Sequence, residues 1–395
     1  MPLPAQSAPP PLDVHALRER EFPFVGQAPY LNAASVAPLP ERARLAIDAY
    51  NRRRSSVHDL TADDFDPTLA RARAAAARLI GAGEDEIALL PNTSYGVNLA
   101  AQCLPIAPGQ RVVLSDLEFP ANVYPWLRLE REGLARVTVV PADARGRPDE
   151  DRLLAELDRG DVAVLALSSV QFVNGWNADL PRFGRFCRER QIFFVVDAIQ
   201  SLGQVPMDVR AAGVDVLATG GQKWLCAPFG TGFAYVRREL LPRLEPRTVG
   251  WTAFDSTADL ARVCGYRYDL RETARRFEVS TQPWQEYAGF TASLELLLEV
   301  GIERIREHVL GLLDPLAEWL AGQDGMEIRS DLAPERRSGI FAFRPRDPER
   351  AFRTLHRAGV GCALREGELR VSPHLYNTHD DVAVVMEVLA RREGW

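Results

Sequence analysis

Lysine is almost missing from this chain. Of the 47 lysines and arginines in 395 residues, one, Lys223, is lysine. Arginine can carry solubility and ion pairing in its place, but it cannot lose its proton near neutral pH and attack a carbonyl carbon. A lone lysine kept against that background is a candidate for covalent chemistry. Other absences narrow the field. The five cysteines (Cys103, Cys187, Cys226, Cys264, Cys362) are odd in number, scattered and never spaced C-x-x-C, and the six histidines form no H-x-x-x-H or mixed Cys/His pattern. That usage argues against a disulfide framework and a metal site, and it fits reduced thiols. No apolar run approaches the length of a membrane span, which needs about eighteen residues. The net charge of −7 comes without a basic block interleaved with aromatics, so no nucleic-acid partner is expected. The opening "MPLPAQSAPPPLD" has neither the basic start nor the apolar segment of a secretory signal. A mobile tail over residues 1–12 and a cytoplasmic location are expected.

What is present alternates. Short β-branched runs, "EIALLP" (86–91), "RVVLSD" (111–116), "ARVTVVP" (135–141), "VAVLALSSV" (162–170), "IFFVVDA" (192–198), "VDVLAT" (214–219) and "TGFAYV" (231–236), read as strands. Amphipathic stretches such as 68–82 and 180–191 lie between several of them. Runs apolar on both faces with helices between indicate an α/β fold: a mostly parallel central sheet with helices on both faces. The last two runs follow each other without a helix, which predicts an antiparallel part of the sheet. Beyond residue 250 a long helical region (285–322), strands at 338–344, 360–364 and 368–372, and a helix over 378–393 read as a smaller C-terminal α+β domain. The expected division is an arm at 13–30, a large domain at 31–265 and a small domain at 266–395.

Ligands of open α/β sheets bind at the carboxyl ends of the strands. In "FFVVDAIQS", Asp197 ends a run of five apolar residues, where a carboxylate is costly without a cationic partner. Gln200 follows, and Lys223 comes just beyond the next strand. Upstream, "LLPNTSYGVNLAA" places Thr93, Ser94 and Gly96 between a strand and a helix, the geometry of an anion site. An acid, a lysine and a phosphate-type loop are what pyridoxal 5′-phosphate requires: a carboxylate keeps its ring nitrogen protonated, an amine forms a Schiff base, and helix N–H groups hold its phosphate.

The run "VVDAIQS…VDVLATGGQKWLCAPFGTGFAYV" resembles the class V aminotransferase superfamily, pyridoxal-phosphate enzymes of fold type I that include cysteine desulfurases and isopenicillin N epimerase-like proteins. "YLNAASVAPLP", "NTSYGVNLAA", "LEFPANVYPW", "SVQFVNG", "RRFEVSTQPW" and "LRVSPHLYNTHDDV" extend the likeness over most of the chain. The resemblance implies that Lys223 carries the cofactor, that Asp197 pairs with its pyridine nitrogen, and that Gln200 bonds its phenolic oxygen. Thr93, Ser94 and Gln222 would hold the phosphate, with Ser280 and Thr281 reaching it from the other subunit of a homodimer. Arg370 would bind the substrate's α-carboxylate, and Asn32 with the "AAS" at 33–35 would wall the pocket.

The chain also departs from the family's pattern. Phe119 stands where desulfurases carry a titrating histidine, so it can stack on the cofactor but not move a proton. Only four residues separate Arg365 from Arg370, too few for a mobile loop bearing a nucleophilic cysteine. Cys362 is expected to be a packed thiol in a strand, and Cys226 to face the fold. Phe172 replaces a frequent polar residue, and Gln171 receives no role. Tyr95 and His374 are unsupported as a second acid or base. The expected function is thus a pyridoxal-phosphate enzyme acting on an amino acid, with transamination first. The alternatives are a C–S lyase or desulfurase-like activity, epimerisation, and a non-catalytic relative of the fold.

Overall fold

The computed structural model describes residues 12–56, 60 and 62–391, so the expected tail lies outside the described residues except for Leu12. Seven strands form the large sheet: β1 (Ile87–Leu89), β2 (Arg111–Ser115), β3 (Arg136–Val140), β4 (Val162–Ser168), β5 (Phe193–Asp197), β6 (Val216–Gly220) and β7 (Gly232–Val236). Their spatial order is β1-β7-β6-β5-β4-β2-β3. From β6 through β3 every pairing is parallel, while β7 runs antiparallel to both β6 and β1. Two reversals restore the direction, so β1 points the same way as β2, β4, β5 and β6. All five therefore deliver their carboxyl ends to one edge of the sheet, and that edge holds the site.

Alternation along the strands explains why the sheet is covered on both sides. In β5, Phe194 and Val196 join one buried apolar cluster, and Val195 joins a second. In β2, Val113 faces the first cluster while Val112 and Leu114 face the second. Successive side chains point to opposite faces, so runs apolar at every position must be sandwiched. Helices Ala62–Ile80 and Leu180–Glu189 supply parts of the first layer, and Thr93–Cys103 with Tyr124–Arg131 supply parts of the second. Several helix starts are set by acceptor side chains: Asp13, Asn92, Asp149, Asp179, Asp347 and Thr378 each accept a bond from a backbone N–H in the first turn.

The second sheet has four antiparallel strands, β8 (Met326–Ile328), β9 (Phe341–Pro345), β10 (Ala363–Arg365) and β11 (Glu368–Val371), in the order β10-β11-β9-β8. The N-terminal stretch lies along this sheet. Tyr30 bridges to Gly361 and Asn32 to Ser372, and the Leu31 N–H donates to the Gly361 carbonyl at 2.8 Å. That is how residues 32–35, remote in sequence, arrive beside β11.

Two features differ from the sequence expectation. The helical region 285–322 is two helices, Trp284–Val300 and Ile302–Ala321, broken at Gly301 with φ of 90°. Only glycine takes that conformation without strain. Strand β8 has three residues, too few to show a period, so it left no readable pattern. Helix Trp284–Val300 packs on helices Glu41–Ser55 and Ala62–Ile80.

A buried ion pair ties these layers together. Arg73 Nε and Nη2 donate to both oxygens of Glu278 at 3.0 and 2.6 Å, and the Leu89 N–H donates to the same carboxylate at 3.0 Å. Both side chains are about 95% out of water. Removing one partner strands the other charge, a loss of about 3–5 kcal/mol. Arg73→Met is therefore expected to lower the stability read from denaturant unfolding by that amount. A change below about 1 kcal/mol would show that the pair is not solvent-excluded.

Candidate active site

Asp197 is the last residue of β5, between β4 and β6, and is 2% exposed. Its Oδ1 accepts the Ile199 N–H at 3.0 Å, while Oδ2 is buried with no hydrogen-bond partner. Burial pushes its pKa up. Nearby Glu118 adds to the rise, and the Ile199 N–H and the Lys223 charge oppose it. A half-satisfied carboxylate in this position is poised for a cationic N–H donor.

Lys223 follows β6 and is half-buried. Its Nζ lies 5.4 Å from the centre of the Phe119 ring and makes no hydrogen bond or ion pair with a described residue. Burial is the main cause lowering its pKa. Arg370 and Arg365 lower it further, and Asp197 works against them. The backbone beside it is pinned from two sides. Trp224 Nε1 donates to Gln200 Oε1 at 2.8 Å, and the His374 ring lies 2.8 Å, through Nε2, from the Trp224 carbonyl. A carbonyl can only accept, so Nε2 carries a proton, and the low pKa set by burial leaves the imidazole neutral. Burial lowers the His374 pKa to about 4. His374 is thus a positioning residue for the lysine's loop. Gln200 also donates from Nε2 to the Ala34 carbonyl at 3.1 Å, leaving one N–H of that amide for another acceptor.

At the end of β1, Asn92 caps helix Thr93–Cys103 by accepting the Tyr95 N–H at 2.9 Å. Thr93 and Ser94 are the first two helical residues, so their N–H groups have no carbonyl within the helix to bond. Thr93 Oγ1 is buried and unpartnered. The helix sits close on the sheet because position 96 is glycine: a Cβ there would meet the Ala218 Cβ at 2.6 Å. Gln222, on the loop after β6, is half-buried, and its carbonyl accepts the Ala37 N–H at 3.0 Å.

Beyond β2, Glu118 is fully buried and receives four bonds: from Asn122 Nδ2, Gln171 Nε2, the Ser168 N–H and Ser168 Oγ. Ser168 is the register partner of Asp197 across β4 and β5. Gln171, which carried no assignment from sequence, thus helps fix Glu118 and with it the segment presenting Phe119. Phe119 meets Phe172 edge to face at 5.3 Å and keeps 42% of its surface exposed.

Arg370 in β11 is 2% exposed. Its Nη1 donates to the Phe172 carbonyl at 2.6 Å and its Nη2 to Ser35 Oγ at 3.0 Å, while Nε has no partner. No carboxylate pairs with it among the described residues. Desolvation, with repulsion from Arg365, lowers its pKa to about 9. Asn32 is half-buried, with Oδ1 unpartnered. Ser35, expected as part of the pocket wall, does reach Arg370, whereas Trp224 and Arg365 belong to this neighbourhood without any sequence signal beyond their place next to assigned residues.

Ser280 and Thr281 do not join the cluster within one chain. Both are exposed, and Thr281 lines a surface depression with Tyr50, Arg54 and Trp284. Tyr95 lines another depression, beside Cys103 and Arg247. Neither Cys226 nor Cys362 is suited to nucleophilic work. Cys226 and Cys362 are buried, burial pushes the Cys226 thiol far up, and that of Cys362 rises to about 12. Cys362 lies just before β10 and not within it. Among the described residues no group of three or more His, Cys, Asp or Glu side chains could hold a metal ion, and no helix is long and apolar enough to cross a membrane.

Residues 29–385 match the family model described as aminotransferase class-V. A probable cysteine desulfurase of Methanothermobacter thermautotrophicus is 30% identical over 399 aligned residues, covering 95% of this chain and 97% of that protein. Among solved structures, the apo cysteine desulfurase of Thermococcus onnurineus superposes with a TM-score of 0.86 at 22% identity, over 98% of this chain and 99% of the other. A cystine C–S lyase bound to cysteine persulfide gives a TM-score of 0.84 at 22% identity, over 93% and 99%. The structural likeness is that of the fold.

The environment of Lys223 makes a direct prediction. With a small aldehyde and a mild hydride reductant, the apoprotein should be alkylated at Lys223 with a half-labelling pH below the ordinary lysine value of about 10.4. Asp197→Asn removes the one charge that raises this pKa, so labelling should extend to still lower pH. Peptide mapping reads both. Half-labelling at or above the ordinary value, or an upward shift in the variant, would contradict the assignment.

Proposed function

The chain belongs to the class-V aminotransferase family of pyridoxal 5′-phosphate enzymes, and from that membership we propose that it transfers the amino group of an amino acid, with Lys223 moving the proton. When bound, the cofactor supplies an electron sink that weakens the bonds at the amino acid's α-carbon. Three observations support the fit: the unpartnered Asp197 Oδ2, the unpartnered Thr93 Oγ1 at a helix N-terminus, and a lysine whose amine feels the charges of both Asp197 and Arg370. In this reading Asp197 holds the ring nitrogen's proton, and the spare Gln200 N–H reaches the phenolic oxygen. Thr93, Ser94 and Gln222 hold the phosphate, and Phe119 covers one face of the ring. Arg370 takes the substrate's α-carboxylate on its free edge, with Asn32 beside it. We also propose a homodimer, in which Ser280 and Thr281 of the partner subunit complete the phosphate site.

The observation that carries transamination is the scarcity of acid–base groups around Lys223. Transamination needs one base that lifts a proton from the α-carbon and sets a proton down again from the same face. Epimerisation needs groups on both faces, and cleavage of a C–S bond by a desulfurase needs a thiol to receive the sulfur. Phe119 cannot titrate, and His374 commits its proton to the Trp224 carbonyl. A thiol with a pKa near 12 is ionised to roughly one part in 10⁵ at pH 7. The names of the relatives favour a second reading, release of sulfur from a cysteine-type substrate.

Incubation of the holoenzyme with single amino acids and a 2-oxo acid should yield a new amino acid. Lys223→Ala should lower that rate by about 10³-fold or more. Sulfide, pyruvate or alanine from cysteine, or α-deuterium exchange without amino transfer, would replace transamination by elimination or epimerisation. In sedimentation the protein should run at twice its 43.9 kDa, and Thr281→Ala should weaken cofactor affinity about tenfold, the worth of one lost charge-assisted bond. Undiminished cofactor binding by a monomer would remove the partner's role.

A further inference from the structure

Accepting the amino-acid site just proposed, we infer that Arg365 selects a second negative charge on the substrate, so that the amino acid handled is dicarboxylic. Arg365 ends β10 and Arg370 lies in β11, joined by a two-residue turn in which Glu366 (φ 48°) and Gly367 (φ 76°) are both left-handed. The register pairs Ala363 with Arg370 and Arg365 with Glu368, which places both arginines on one face of the hairpin. They converge on one hydroxyl. Ser35 Oγ accepts from Arg370 Nη2 at 3.0 Å and, at the limit of a hydrogen bond, from Arg365 Nη2 at 3.5 Å.

Neither guanidinium has a carboxylate partner among the described residues. Glu368, opposite Arg365 in register, is already held by Arg329 at 2.8 Å and Arg344 at 3.2 Å. By contrast, the nearby Arg329, Arg336, Arg337 and Arg344 each meet an acid. Two adjacent unpaired guanidinium groups repel each other, and Arg365 destabilises the charge on Arg370. One α-carboxylate satisfies Arg370 alone, because its Nε and the second N–H of each Nη are free and can take both oxygens as a fork. Arg365, exposed and bonded otherwise only to the Leu364 carbonyl at 2.9 Å, is left without an acidic partner. A carboxylate at the end of the substrate side chain would meet it.

The test separates binding from turnover. By calorimetry on the holoenzyme, glutarate and maleate should bind at least tenfold tighter than butyrate, and Arg365→Gln should reduce that preference tenfold or more, with Arg365→Lys restoring part of it. In kinetics, kcat/KM for glutamate or aspartate should exceed that for glutamine or asparagine by a similar factor. Equal binding of glutarate and butyrate, or equal weakening of both by Arg365→Gln, overturns the inference. Dicarboxylate preference without amino transfer from any amino acid would instead sink the aminotransferase reading and leave this one standing. Transfer confined to neutral amino acids would do the reverse.

Discussion

Everything at this site depends on a charge kept out of water. Asp197 ends the central strand of a sheet buried on both faces, with one oxygen bonded to a backbone N–H and the other bonded to nothing. Such a carboxylate is unfavourable in the bare fold by several kcal/mol. In the proposed function a protonated ring nitrogen would meet that oxygen, and the cost would be recovered there. Lys223 depends on the same dryness, because desolvation is what brings its amine towards the neutral form.

The surrounding structure serves to hold these two groups still. Asp197 is fixed by the ladder itself. Lys223 sits on a loop, and its position is over-determined by neighbours: Gln200 on the Trp224 indole, His374 on the Trp224 carbonyl, Phe119 over the amine. Glu118 plays a comparable part for Phe119. Its four hydrogen bonds stitch the end of β2 to the end of β4, so the aromatic plate is carried by strand ends and not by a free loop. An arginine-only economy suits this design. The other members of the lysine–arginine set are all guanidinium groups, which leaves a single side-chain amine able to do chemistry.

The second domain enters through electrostatics. Arg370 is buried by β11 and by the stretch 32–35 that lies along the small sheet, and it touches the large domain through the Phe172 carbonyl. Its guanidinium is therefore held at the junction of three distant segments. Low dielectric at such a junction strengthens recognition of an anion and equally strengthens repulsion between neighbouring cations. On the inference drawn above, this is how an unpaired Arg365 would bear on which substrates are accepted.

Much of this was legible in the residues. Apolar runs marked the inner strands of the large sheet, since only a sheet covered on both faces tolerates them, and the lone lysine marked itself by contrast with its arginine background. The acid at a strand end and the Thr-Ser at a helix start were readable because local chain direction dictates where they point. What stayed hidden was contact at long range. No pattern in the sequence reveals that His374 meets Trp224, that Gln171 bonds Glu118, or that Ser35 stands between Arg370 and Arg365. The short strand β8 and the break at Gly301 were lost because three residues show no period and a single glycine no direction. Covalent and charge chemistry is carried by residue type and can be read along the chain. The neighbours that tune it are chosen by packing between segments hundreds of residues apart, and only the tertiary structure decides them.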